Sequence, residues 1–342
     1  MCTVPKLRES LAREVRGGDL LRAVIVIGPL GAAYFISGEE AFSDLGLIAV
    51  SLLIPAFKLE LPPRLIALHF LVILVTLATL FLAESVRPLF VLSAATAAFL
   101  ASALTRYGEA LRTVGSWAFI PALYVACKLY ENTPAGGSFR QVSTIVALAP
   151  VVLALVCAVQ VYDRPILFGQ ASQSYGRASS EWLLFASASA IAVFAAAALV
   201  EVFNLAQGQW LIWSAASVVV GDLATSTNKL KLRIIGASVG VPLGFLTGLC
   251  LPASRIGYFL AAIGALLTVV AFNRYVVGFG ARCFFIVLAA ILAGRGSGIP
   301  EERVTNVFIG GAFGIIAVVL SEFVWKRVAQ KSTGRSGFDR PP

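Results

Sequence analysis

The sequence predicts an all-α polytopic membrane protein of about twelve transmembrane helices, arranged as two similar six-helix halves in parallel repeat. Three observations carry this. The 342 residues are 58% hydrophobic and only 13% charged, with a mean hydropathy of +0.87, a balance that would not keep a water-soluble domain of this length dispersed. The apolar residues come in runs that approach the roughly 20 residues needed to cross about 30 Å of hydrocarbon as a helix. Lysines and arginines gather at alternate ends of those runs.

Read in order, the first runs place spans at 20–37, 44–57, 65–83, 88–105, 113–130 and 144–162. The polar segment 163–180 follows, with Pro165, Gly169, Gly176 and several serines. A second set falls at 181–203, 210–224, 234–251, 256–272, 275–294 and 305–325. The second and eighth runs are short and end in polar or proline-rich sequence, so each is a candidate for a broken or re-entrant element. The organisation read from this is an N-terminal membrane half (1–162), a cytoplasmic linker (163–180), a C-terminal membrane half (181–325) and a basic cytoplasmic tail (326–342).

Charge tests the span count independently, because lysine and arginine prefer the cytoplasmic ends of spans. With the N-terminus inside, the cytoplasmic segments collect most of the basic residues, from Lys6 through Lys58, Arg64, Arg106, Arg112 and Arg233 to the tail. The outer loops keep only Arg87, Arg140, Arg255, Arg295 and Arg303. A multi-pass protein of the inner (plasma) membrane with both termini cytoplasmic follows. The formal charge of +9 is thus explained by orientation in a membrane, and nucleic acid is no expected partner. The five cysteines are scattered, without a CxxC or a nearby histidine, and read as small buried hydrophobes, so no metal or other cofactor is expected. The first apolar run lacks a cleavage site and reads as a helix rather than a removed signal peptide.

The halves echo each other at an offset near 165 residues. Arg106-Tyr107 precedes the fifth span as Arg274-Tyr275 precedes the eleventh, Phe119 matches Phe284, and Arg140 stands before the sixth span as Arg303 does before the twelfth. Six being even, the two copies would keep the same orientation.

The most informative stretch runs from Gln209 to Gly248. Trp210 and Trp213 open it, an apolar run leads to Gly221-Asp222, and Thr225, Ser226 and Thr227 precede Lys229, Lys231 and Arg233. An aspartate near the membrane is costly unless paired or hydrated. In one reading Asp222, with Thr225 nearby, exchanges protons in an aqueous pocket, coupled to a substrate held by Arg233 or Lys231. In the other it caps the next helical turn or pairs with Lys229 and transports nothing. Gly236, Gly240, Gly244 and Gly248 form a side-chain-free stripe that admits a neighbouring helix closely, and Pro242 should kink that helix. Arg282 lies within the eleventh span and, if it faces the bundle interior, offers a fixed cation to Asp222, Glu201 or a substrate. Lys128 reads as snorkelling to the interface, Glu201 and Glu322 as interfacial, and His69, the single histidine, as a packing residue rather than a proton relay. A Walker loop and HExxH are absent from the sequence, and no loop gathers acid, base and nucleophile, so an enzyme is not expected.

The same segment resembles the fusaric acid resistance protein superfamily, which includes the aromatic acid exporters. The likeness rests on the span led by Trp210, the polar turn at Gly221-Asp222, Arg233-Ile-Ile-Gly236 with its glycine stripe, and Arg303 followed by Asn306 and Ile309-Gly310. It implies a duplicated six-span unit and efflux of weak organic or aromatic acids, with a periplasmic adaptor protein and a second copy of the chain as candidate partners beside the lipid bilayer. The segment 163–180 is too short for the cytoplasmic domain of larger members. Three functions stay open: a proton-coupled secondary transporter exporting organic anions, with Arg233 and Arg282 attracting the carboxylate; a passive organic-anion channel; and a non-transporting membrane scaffold.

Overall fold

The computed structural model describes residues 14–131, 138–163, 181–205, 207–294 and 298–335. Twelve α-helices fill these residues: α1 Gly17–Ser37, α2 Ala41–Lys58, α3 Pro63–Ala83, α4 Arg87–Ala103, α5 Leu111–Glu131, α6 Ser138–Asp163, α7 Trp182–Phe203, α8 Gln209–Val218, α9 Leu223–Cys250, α10 Arg255–Ala271, α11 Tyr275–Leu292 and α12 Gly298–Arg335. Nine segments among the described residues are long and apolar enough to cross a membrane. The linker 163–180 lies, but for Asp163, outside the described residues, as do residues 336–342 of the tail.

Local chemistry explains most of the breaks. Gly38 adopts a left-handed conformation (φ 73°) at the end of α1, and Asn204 does the same (φ 49°) at the end of α7, the two residue types that tolerate it best. Prolines stand in the first turn of α3 and α4, where the missing N–H costs nothing. On α3, Leu68, Leu71, Val72, Val75 and Leu82 form an exposed apolar stripe at helical spacing, as a lipid-facing surface requires. By contrast α2 is the most enclosed span, 72% buried along its apolar window, and sits inside the first half.

The end of the bundle where α1 starts is termed proximal, and the end where it finishes distal. At the proximal end Arg16 N–H donates to Ala271 O and Arg274 pairs with Glu14, tying the N-terminal segment to the α10–α11 turn. Among α1–α6, α3 packs on α5, α4 on α5 and α2 on α6; among α7–α12, α9 packs on α11, α10 on α11 and α8 on α12. The two sets meet through α4 against α7 and through α10 against α1. At the distal end Arg87, the first residue of α4, donates to Asn204 at the end of α7 (2.8 Å), while Arg255, the first residue of α10, donates to Phe35 O at the end of α1 (2.7 Å).

Three elements differ in extent from the sequence reading. Helix α8 has 10 residues and stops at Val218, with Val219 extended; at about 1.5 Å per residue it covers roughly half the hydrocarbon. Helix α9 starts at Leu223 instead of 234 and runs for 28 residues. One residue causes both: Asp222 turns extended and accepts the Thr225 N–H, a new N-cap that draws the basic stretch into the helix. Helix α12 likewise begins before 305, at Gly298, and continues to Arg335.

Candidate functional site

The glycine face of α9 decides how deep its cations sit. A Cβ on Gly240 would overlap the Gly280 carbonyl oxygen and one on Gly244 the Phe284 carbonyl oxygen, both backbone atoms of α11, while one on Gly248 would stand 2.8 Å from the Ile291 side chain. Helices α9 and α11 therefore meet backbone to backbone, as small residues allow. Gly310 of α12 meets the Leu211 carbonyl oxygen of α8 in the same way, and Gly314 the Ala215 oxygen at 2.9 Å. Helices α8, α9, α11 and α12 are thus drawn close around one interior.

Into that interior point three arginines. Arg233 is 5% exposed. It lies one turn beyond Lys229 on the inner face of α9, while Lys231 between them is exposed. Its guanidinium donates to Ser217 Oγ and to Ser214 Oγ (3.2 Å) of α8 and lies 4.6 Å from the Phe279 ring centroid of α11. Ser214 Oγ donates onward to Val307 O of α12 (3.1 Å). Arg303, also 5% exposed, sits on α12 with its guanidinium 3.8 Å from the Trp210 ring centroid and hydrogen-bonds Cys283. Arg282 of α11 is within electrostatic reach of both Arg233 and Arg303. In each of the three the guanidinium Nε is buried and has no hydrogen-bond partner. Buried polar groups are ordinarily satisfied and buried charges paired, so these three unpartnered Nε donors make the cluster the candidate site.

Toward the proximal end the cations continue. Lys229 Nζ lies 5.6 Å from the Tyr275 ring centroid, and the charged groups acting most strongly on it are Arg233, Arg112 and Arg282. Arg112 of α5 reaches the broken turn after α8, its Nη1 3.9 Å from where a Gly221 Cβ would stand. Helix α8 serves as a ruler for the series: Trp210 faces Arg303, and Ser214 and Ser217 face Arg233, roughly 6–10 Å farther along at helical rise. The result is a file of like charges down the second half, beside an interrupted helix. Non-helical backbone at membrane depth is tolerated where protein or a water-filled cavity covers it.

The other expected site residues lie elsewhere. Asp222 is exposed at the proximal end, where its carboxylate accepts from Thr225 N–H (3.0 Å) and Thr225 Oγ1–H (2.6 Å). These bonds hold its carboxyl below the usual aspartate range. With Lys231 and Glu322 it lines an open groove of about 600 Å³, and it does not join the buried arginines. Glu201 pairs with Arg87 at the distal end (3.7 Å), not with Arg282. His69 is buried on the Ser51 carbonyl (3.2 Å). Lys128 requires a correction: it does not snorkel to the interface but pairs with Asp44 at 2.8 Å and Glu40 at 3.1 Å. The sequence does not single out Asp44, whose run is short and polar-ended, and it places Arg303 in an outer loop, although the position of Arg303 before Asn306 and Ile309-Gly310 carries the family likeness.

An all-helical, multi-pass membrane protein with a cationic interior in its second half is the class that these features define. Residues 191–317 match the family described as fusaric acid resistance protein-like, which upholds the resemblance carried by Trp210, Arg233, Gly236 and Arg303; all three orphaned arginines lie within the match. Comparison with curated proteins and with solved structures finds no match.

Proposed function

We propose that this protein carries weak organic acid anions, aromatic acids among them, outward across the inner membrane along the cations of the second half. The observation that carries the reading is the convergence of Arg233, Arg282 and Arg303, each with a buried unpartnered guanidinium Nε. A carboxylate is the natural ligand for such a group, since the planar fork of arginine accommodates its two oxygens, and the aromatic faces of Trp210 and Phe279 already lie against the cations. The family match is consistent with a transport role.

With the proximal end cytoplasmic, as the basic loops there imply, the inside-negative potential favours anion exit by about 2.3 kcal/mol per charge per 100 mV. The place of Asp222, exposed and engaged as a helix cap, favours a voltage-driven carrier or channel over proton coupling through that residue. The paired end contacts Arg87–Asn204 and Arg255–Phe35 support a duplicated unit of six helices, with α1–α6 matching α7–α12.

The test is flux of labelled benzoate from proteoliposomes under an imposed potential. Arg233→Gln and Arg282→Gln should each lower it tenfold or more while the protein stays monodisperse in detergent. Wild-type flux in both variants would remove the arginines, and with them this function.

A further inference from the structure

Arg233, Arg282 and Arg303 have no carboxylate against them in the contacts described above, whereas Lys128 of α5 has two. Its ammonium touches Asp44 Oδ1 at 2.8 Å and Glu40 Oε2 at 3.1 Å. The second oxygen of Asp44 accepts from Gln141 Nε2 at 2.7 Å, so α2, α5 and α6 all converge there. Exposure divides the pair unequally: the Asp44 side chain is 2% exposed and that of Lys128 20%. The lysine can therefore be reached while its counter-ion cannot.

Lys128 also continues the cationic file. One turn earlier on α5, the Tyr124 ring lies 5.1 Å from the Trp210 ring, which also lies against the Arg303 guanidinium. Tyr124 lies within electrostatic reach of Lys128, Asp44 and Arg303, and of Tyr258 on α10. Tyr124 and Trp210 thus connect the Arg303 guanidinium to the Lys128 ammonium at the distal end of α5. Passage requires each station to bind strongly enough to admit the ion and weakly enough to release it. A bare lysine at the exit would hold a carboxylate; one already neutralised by a fixed carboxylate would let it go.

Resting on the transport reading above, we infer that Lys128 is the distal exit station of the anion path and that Asp44 is its built-in counter-ion, which the carboxylate of the substrate displaces in passing. The exchange is a swap of salt-bridge partners at the Lys128 ammonium, with no bond made or broken and no proton moved. Asp44 so sets the affinity of the exit rather than serving only as a buried structural pair.

The experiment titrates detergent-solubilised full-length protein with sodium benzoate by calorimetry and measures benzoate flux in proteoliposomes. Asp44→Asn keeps the shape and the Gln141 contact but removes the competing charge. It should bind benzoate about tenfold more tightly and pass it more slowly, because release becomes limiting. Adding Lys128→Gln should erase the gain in affinity. Should Asp44→Asn fail to fold, Glu40→Gln, a milder removal of charge from the same ammonium, should tighten binding two- to threefold. Unchanged or weaker binding in the folded Asp44→Asn or Glu40→Gln protein, or a gain that survives Lys128→Gln, overturns the inference. If wild type binds benzoate and Arg233→Gln abolishes it, the transport reading stands whatever Asp44 does; if wild type binds none, both fall.

Discussion

The guanidinium of Arg303 lies 3.8 Å from the centroid of the Trp210 ring, joining the first turns of α12 to the start of the ten-residue helix α8. An arginine held this way, with its Nε buried and unpartnered, bears a desolvation cost that the ring offsets by about 2 kcal/mol. Replacing a buried charge by an apolar side chain of similar volume is often neutral or stabilising. Arg303→Met should accordingly melt in detergent at the wild-type temperature or above it, while benzoate flux falls at least tenfold. A melting point several degrees lower with flux intact would assign Arg303 to the architecture instead.

An anion that fills the cluster should stabilise the folded protein by mass action. At a concentration a hundred times its dissociation constant, benzoate would add about 2.7 kcal/mol, visible as an upward shift in thermal melting. Arg233→Gln should abolish the shift, since its partners on α8, Ser214 and Ser217, cannot replace a cation.

Close backbone contact between α9 and α11 makes Gly240 intolerant of a single methyl group, because the added carbon would overlap the Gly280 carbonyl oxygen. Gly240→Ala should cost about 1–3 kcal/mol, read as a lower melting temperature. Gly18→Ala is the control: nothing stands within 4 Å of that position, and melting should be unchanged or slightly raised.

Near the distal end, Glu84 shares a small pocket of about 110 Å³ with Glu131, Glu201 and Cys127. Burial first, and the Glu201 charge second, raise its carboxyl from 4.5 to about 8. Its folded value thus exceeds its unfolded one, so the unfolded chain releases the proton first as pH rises. Stability should decline between about pH 4.5 and pH 8 and level off above. Glu84→Gln should flatten that slope in melting curves recorded across the range.

Asp222 caps α9 from the surface. Asp222→Ala should lower stability by roughly 1 kcal/mol and leave benzoate flux at the wild-type level. Because hydrogen bonds hold its carboxyl below the ordinary 3.8, the cap's contribution is present above that pH and disappears as pH falls further. Loss of flux in Asp222→Asn, which retains a capping side chain, would return this residue to the mechanism.

Much of this protein is legible without coordinates, and the reason is the solvent. Hydrocarbon demands long apolar runs with every backbone group bonded internally, so each run declares a helix, and Gly38, Pro62, Asn204 and Pro252 punctuate them in plain view. The glycine stripe from Gly236 to Gly248 is equally visible, as are Arg233 and Arg282. Where α8 ends and α9 begins is harder to read, since Asp222 can equally be an interior acid or a cap, and only the path of the backbone at Val219 chooses.

What the sequence alone determined is the class: a helical bundle in lipid, its helices in order, and which faces are narrow enough to touch. Only the tertiary structure decided which charges stand together. Arg303 turns out to lie over Trp210, Lys128 on Asp44, and Lys231 apart from both neighbours that it resembles. The physical reason is that hydrophobicity is a property of each residue and is written locally, whereas electrostatic partnership depends on distances of a few ångströms between segments remote in the chain.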